Sequence, residues 1–178
     1  MSLRPTILLH VCCAPCATAP IERLQDEFEV TLFFSNSNVS PAEEYDRRLA
    51  GARKLAGRLA LPLVADAYDH PRWLDHIKGL ENEPEKGKRC EKCFEFNLAR
   101  AAAYARDHGF ELFTTTLTVS PHKPAATIFR IGKAQGPFLE YDFKKRGGFK
   151  RSTELSRLYE LYRQDTCGCE FSGRKKTS

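Results

Sequence analysis

The chain has 178 residues, 42% hydrophobic and 29% charged, the balance of an ordinary soluble globular protein and enough chain for one domain spanning residues 1–178. Lys and Arg outnumber Asp and Glu by 28 to 23, and the resulting +5 is a mild lean toward polyanions that does not by itself establish nucleic-acid binding. No apolar run approaches the ~20 residues of a membrane span and no secretory signal is visible at the start, so a cytoplasmic protein with no membrane partner is expected.

Strand and helix patterns alternate along the chain. Residues 6–10 read as a first strand that runs into Cys12-Cys13-Ala14-Pro15-Cys16. A turn containing Pro15 is expected next, then a helix from about Pro20 with Ile21, Leu24 and Phe28 on its apolar face. Residues 30–35 are almost continuously apolar, as in a strand buried on both faces of a parallel sheet. Ser40-Pro41-Ala42-Glu43 resembles a capped helix start, and Tyr45, Leu49, Ala52, Leu55, Ala56 and Leu59 continue at helical spacing.

A short third strand is expected at 61–65, a helix opening at 69–73, and a polar surface loop at 79–89. Residues 90–107 form a strong helical pattern, with Cys90, Cys93, Phe94, Leu98, Ala101, Ala102 and Ala105 on one face. A fourth strand follows at 112–116, a helix through Ala134, a fifth strand at 137–141, and a helix capped by Ser152 or Thr153 that runs to about Tyr162. Alternating units of this kind predict an α/β fold, an open parallel sheet of about five strands with helices on both faces.

The seven cysteines fall into three close groups: Cys12, Cys13 and Cys16; Cys90 and Cys93; Cys167 and Cys169. An odd number cannot pair completely, and in a reducing compartment clustered cysteines bind metal or do redox work more often than they form disulfides. The first group stands where open α/β sheets usually bind ligands, at the carboxyl end of the first strand. Cys90 and Cys93, at a helix start beside Lys88, Arg89 and Lys92, are placed where dipole and charge favour the thiolate that metals require.

We expect the three groups to meet in one site. A structural zinc site uses four thiolates, and so does one iron–sulfur cluster, so seven point to a cluster plus a second metal ion. Zinc alone and thiol redox chemistry remain the other two readings. Arg47, Arg48, Arg53 and Lys54 read as a solvated helix face, and Tyr159, Tyr162 and Phe171 serve equally as core or as base-stacking surfaces.

The motifs resemble the cobalamin-independent epoxyqueuosine reductases, the QueH family, formerly a domain of unknown function. The matching stretches are His10 to Cys16, Leu32 to Asn38 with Glu44, Tyr45 and Arg48, and Arg89 to Phe94. Others are Thr114 to Lys123, Asp142 to Lys145, and Leu161 to Cys169, so the likeness spans nearly the whole chain in order. The resemblance implies a fold like the adenine-nucleotide α-hydrolase group, a 4Fe–4S cluster and an adjacent second metal ion, iron.

The implied activity is two-electron removal of the epoxide oxygen of epoxyqueuosine at the tRNA wobble position, giving queuosine, with electrons from a separate donor. All seven cysteines carry over as metal-ligand candidates, with Cys12, Cys13, Cys90, Cys93, Cys167 and Cys169 as the cofactor-binding set. Asp69, Tyr68 and His122 are candidates for the acid that protonates the leaving oxygen. The basic segment 144–151 and the tail Arg174-Lys175-Lys176 are expected to contact tRNA phosphates. The principal alternative is a zinc-stabilised nucleic-acid-binding module without catalysis. An ATP-dependent tRNA-sulfurating enzyme would need a glycine- or serine-rich phosphate loop where Cys-Cys-Ala-Pro-Cys stands.

Overall fold

The computed structural model describes residues 4–173, which alternate between strand and helix. The elements are β1 (Thr6–His10), α1 (Ala14–Leu24), β2 (Glu29–Phe34), α2 (Ala42–Leu59), β3 (Leu63–Ala65) and α3 (His70–His76), followed by α4 (Lys88–Asp107), β4 (Leu112–Thr115), a 3-10 turn (Thr116–Val119), α5 (Ala125–Gln135) and α6 (Gly148–Leu158). The four strands are parallel in the order β3-β2-β1-β4. Residues 174–178 lie outside the described residues, so the expected contribution of Arg174 to Lys176 has no structural counterpart.

β1 is sandwiched between neighbours on both sides, with His10 opposite Phe33 of β2 and Thr115 of β4. Its side chains alternate between two cores, which explains the unbroken apolar run. Ile7 and Leu9, with Leu32 and Phe34 of β2, pack with α1 and α2. Leu8 and Phe33 face the opposite way and pack with Leu98 and Ala101 of α4 and Ile128 and Ile131 of α5. No helix is long and apolar enough to cross a membrane among the described residues.

The fifth strand reduces to a single bridge between Phe113 and Phe138. Leu139 donates its amide to Phe113, but its carbonyl is taken by the Thr114 hydroxyl at 2.9 Å, and the Tyr141 carbonyl is taken by Thr118 Oγ1 at 2.8 Å. Side-chain hydroxyls rather than strand amides meet these two carbonyls, and the pairing stays a single bridge.

Two helix starts also differ from expectation. α1 begins at Ala14, inside the cysteine motif, with extended Cys13 as its N-cap. Pro15 is tolerated there because a first-turn amide has no helical partner. Pro20 therefore lies inside α1, where it supplies no amide for the Cys16 carbonyl. α6 begins at Gly148, so Ser152 is an interior residue rather than a cap. It is buried against α1, where its Oγ accepts the Ala19 amide at 3.4 Å.

The order of strand addition changes sense at β1: β2 and β3 lie to one side and β4 to the other. The crevice at the carboxyl ends of β1 and β4 is thus the topological switch point, where open α/β sheets bind ligands. Cys12 follows β1 there, and Thr116 follows β4.

Candidate metal centre

His10 ends β1, fully buried, and both ring nitrogens are engaged: Nδ1 with Thr115 Oγ1 at 2.9 Å and Nε2 with the Ser35 carbonyl at 3.0 Å. The carbonyl can only accept, so Nε2 carries the proton and Nδ1 accepts from the threonine. Burial lowers the His10 pKa, which keeps the ring neutral. The histidine thereby ties three strand ends together beneath the cysteines.

Just beyond it, the sulfurs of Cys12, Cys13 and Cys16 lie within 4.8 Å of one another. The Thr116 hydroxyl accepts the Cys12 amide at 3.1 Å and donates to Cys12 Sγ at 3.2 Å. Hydrogen bonds from Cys13 and Cys16, aided by Lys123 and Thr116, hold the Cys12 thiol well below the usual cysteine range despite burial. Cys13 is pushed up to about 12 by its contact with Cys12, and Cys16 is raised by its contacts with both. Within the triad, negative charge is therefore favoured on Cys12 over Cys13 and Cys16. Three convergent sulfurs form a group that can hold a metal ion.

Cys90 and Cys93 lie on the first turns of α4, and Cys167 and Cys169 come from the last described segment. All four line one small cavity of 90 Å³. Burial raises the thiol pKa values of Cys90 and Cys93, and the charges of Cys167 and Cys169 add to this. The Lys86 amide donates to Cys90 Sγ at 3.3 Å, and Asn97 Nδ2 to Cys93 Sγ at 3.8 Å.

The terminal cysteines are held by a residue whose charge disguised its place on the helix. Arg48, expected on a solvated face, is only 4% exposed. Its Nη1 donates to the Cys167 carbonyl at 2.9 Å, Nη2 to the Thr166 carbonyl at 3.2 Å, and Nε to Glu44 Oε1 at 2.8 Å. The Ser40 amide adds a bond to the Gly168 carbonyl at 2.9 Å. Gly168 has φ of +111°, and a Cβ there would stand 2.7 Å from Arg48 Nη1, so glycine is required between the two cysteines. Arg48 falls three residues after Tyr45 and four before Ala52, on the apolar stripe itself, which is the sequence signal for its burial.

A second cavity of 390 Å³ joins the two sulfur groups, lined by Cys12 and Cys16 on one side and Cys93 and Cys167 on the other. Lys123 and His122 line both cavities. Burial opposes the charge of the half-buried Lys123 ammonium, but Cys167 and the Cys12–Cys16 triad outweigh it and raise its pKa. Two buried acceptors on the larger cavity, Asn97 Oδ1 and Gln164 Oε1, have no hydrogen-bond partner among the described residues. Spacing gave no sign of Asn97, which lies one turn beyond Cys93, or of Thr116, which the sheet brings to Cys12 across 104 positions.

Of the three candidate acids, only His122 lines a cavity beside the cysteines. The Tyr68 hydroxyl donates to the Val39 carbonyl at 2.7 Å, and Asp69 caps α3 by accepting the Arg72 amide at 3.1 Å.

A family model described as "Epoxyqueuosine reductase QueH" matches residues 7–175. The chain belongs to the QueH family. The matched span contains all seven cysteines. Among QueH proteins bearing that same name, the one from Streptococcus pyogenes serotype M1 is 39% identical over 97% of this chain and 72% of its own length. The QueH protein of Haemophilus influenzae is 37% identical over 94% of this chain and 71% of its own length. That of Thermotoga maritima is 36% identical over 94% and 90%, respectively.

Proposed function

We propose that this protein is an epoxyqueuosine reductase that acts on tRNA at the wobble position. The observation that carries the reading is the convergence of three cysteine groups on two adjoining cavities at the switch point of the sheet, in a chain of the QueH family. The reaction adds two electrons and two protons to the epoxide and gives an alkene and water.

The donor set fits the metals that such chemistry requires. Cys90, Cys93, Cys167 and Cys169 are four thiols around one cavity, the number a 4Fe–4S cluster takes. Cys12, Cys13 and Cys16 are the donors for a second ion, iron. When bound, these groups would supply electron transfer and Lewis-acid polarisation of the epoxide. Electrons enter from a separate donor protein or small reductant.

The remaining tasks fall to the chain's own residues. The larger cavity admits the modified base, and the acceptors Asn97 Oδ1 and Gln164 Oε1 receive hydrogen bonds from its donor groups. Lys123 balances the sulfur charge from the shared wall. His122 delivers a ring proton to the departing oxygen. Exposed Lys145, Arg146 and Lys150 hold phosphates of the anticodon loop.

The test is anaerobic incubation of the metal-loaded protein with epoxyqueuosine-containing tRNA and a low-potential reductant, followed by digestion to nucleosides and mass analysis. Conversion to queuosine supports the proposal. Intact epoxyqueuosine, with a colourless zinc-containing protein that binds RNA, would favour the nucleic-acid-binding module.

A further inference from the structure

Phe149 is 44% exposed in the first turn of α6, and it lines the cavity that holds Cys12, Cys16, Cys93 and Cys167. A single exposed aromatic ring needs no explanation by itself. Here, however, the ring sits on a pinned turn. Arg23 Nη2 donates to the carbonyls of Lys145 at 2.8 Å and Arg146 at 3.2 Å, and Nη1 to that of Phe143 at 3.4 Å. Gly147 has φ of +73°, and a Cβ on Gly148 would lie 1.6 Å from the Phe143 carbonyl oxygen. Both glycines are thus needed to deliver the chain to Phe149 in this conformation.

The flanking charges are complementary to a polyanion. Lys145, Arg146 and Lys150 are exposed and have no ion-pair partner among the described residues. Their neighbours are occupied: Lys144 with Asp142 at 3.0 Å, and Arg151 with Glu22 at 2.8 Å and Glu154 at 3.6 Å. The three aromatic residues that the sequence offered for stacking are engaged elsewhere. Tyr159 packs on the core beneath Arg58, the Tyr162 hydroxyl donates to Glu44, and Phe171 stacks near Trp73.

An exposed π-face with exposed cations close to it in the chain suits single-stranded nucleic acid, which proteins hold by stacking bases on aromatic rings and pairing phosphates with Lys and Arg. We infer that Phe149 is the platform on which the extruded wobble base stacks, so that its epoxide-bearing substituent reaches the cysteines while Lys145, Arg146 and Lys150 hold the flanking phosphates. This rests on the tRNA reading above.

The test uses an anticodon stem-loop RNA carrying 2-aminopurine at the wobble position, with the anaerobically purified full-length protein. Phe149→Ala and Phe149→Leu should each weaken binding by about 5- to 150-fold, the range for one lost base–aromatic stack. Phe149→Trp should restore binding and the quenching of 2-aminopurine. The slope of log affinity against log salt should be the same for all four proteins, because the lost contact is uncharged. Leucine that binds and quenches like phenylalanine would overturn the stacking role. Wild-type protein that binds no stem-loop would overturn the tRNA reading as well, whereas wild-type binding with an unaffected alanine variant would overturn the role of Phe149 alone.

Discussion

The Thr116 hydroxyl bonds Cys12 twice, accepting its amide proton at 3.1 Å and donating to its sulfur at 3.2 Å. One side chain at the end of β4 thereby fixes both backbone and thiolate of the residue that follows β1. Thr116→Val keeps the shape and removes both bonds. It should cost about 1–3 kcal/mol from the orphaned amide and raise the Cys12 thiol pKa, since Thr116 is one of the groups that lower it. Alkylation rate against pH on metal-free protein checks this, and Thr116→Ser should behave as wild type.

Metal uptake should release protons and strengthen as pH rises. The thiol pKa values of Cys13 and Cys16 are raised, as are those of Cys90 and Cys93. At neutral pH these groups are thiols, and each must lose its proton to become a ligand. Calorimetric titration of zinc into the metal-free protein, in buffers of different ionisation enthalpy, would measure the protons released. A heat independent of buffer would contradict the account.

Arg48→Lys and Gly168→Ala should both loosen the Cys167–Cys169 segment, by different means. Lysine cannot reach both carbonyls and Glu44 at once, a loss of about 1–3 kcal/mol. Alanine brings a Cβ against the guanidinium and a disfavoured φ. Each variant should retain the metal of the Cys12–Cys16 triad while losing that of the four-cysteine cavity. Retention of iron and sulfide at wild-type levels would show that the segment is held by something else.

Asp66 pairs with Arg100 through two hydrogen bonds, at 2.5 and 3.0 Å, and also accepts from Ser35 at 2.7 Å. Burial alone would raise the carboxyl pKa, but these bonds outweigh it and lower the value. A lowered folded-state pKa contributes stability above the unfolded aspartate value, lost as pH falls through the folded value. Arg100→Ala should therefore destabilise by about 1–2 kcal/mol near neutrality, discounted for partial exposure, and by less in acid. Urea unfolding at several pH values checks the convergence.

The parallel sheet was legible because β1 and β2 are buried on both faces, which leaves an unbroken apolar signature in Ile7 to Leu9 and Leu32 to Phe34. The cysteine groups were legible because thiols are rare and close spacing is informative. The helix start at Ala14 was not, since Pro15 reads as a turn until its first-turn position is seen. Arg48 and Thr116 were hidden for another reason. Their roles depend on partners more than a hundred positions away, and charge or hydroxyl alone does not reveal such a partner. Phe149 carries no periodic or motif signal, and only the fold brings it to the cavity.

On the reading proposed, the three cysteine groups build one iron–sulfur and metal centre. Anaerobic purification followed by iron, acid-labile sulfide and zinc analysis, with a visible spectrum, addresses it directly. The account predicts a brown protein with about four sulfides and somewhat more than four irons per chain. A colourless protein with zinc and no sulfide would contradict it.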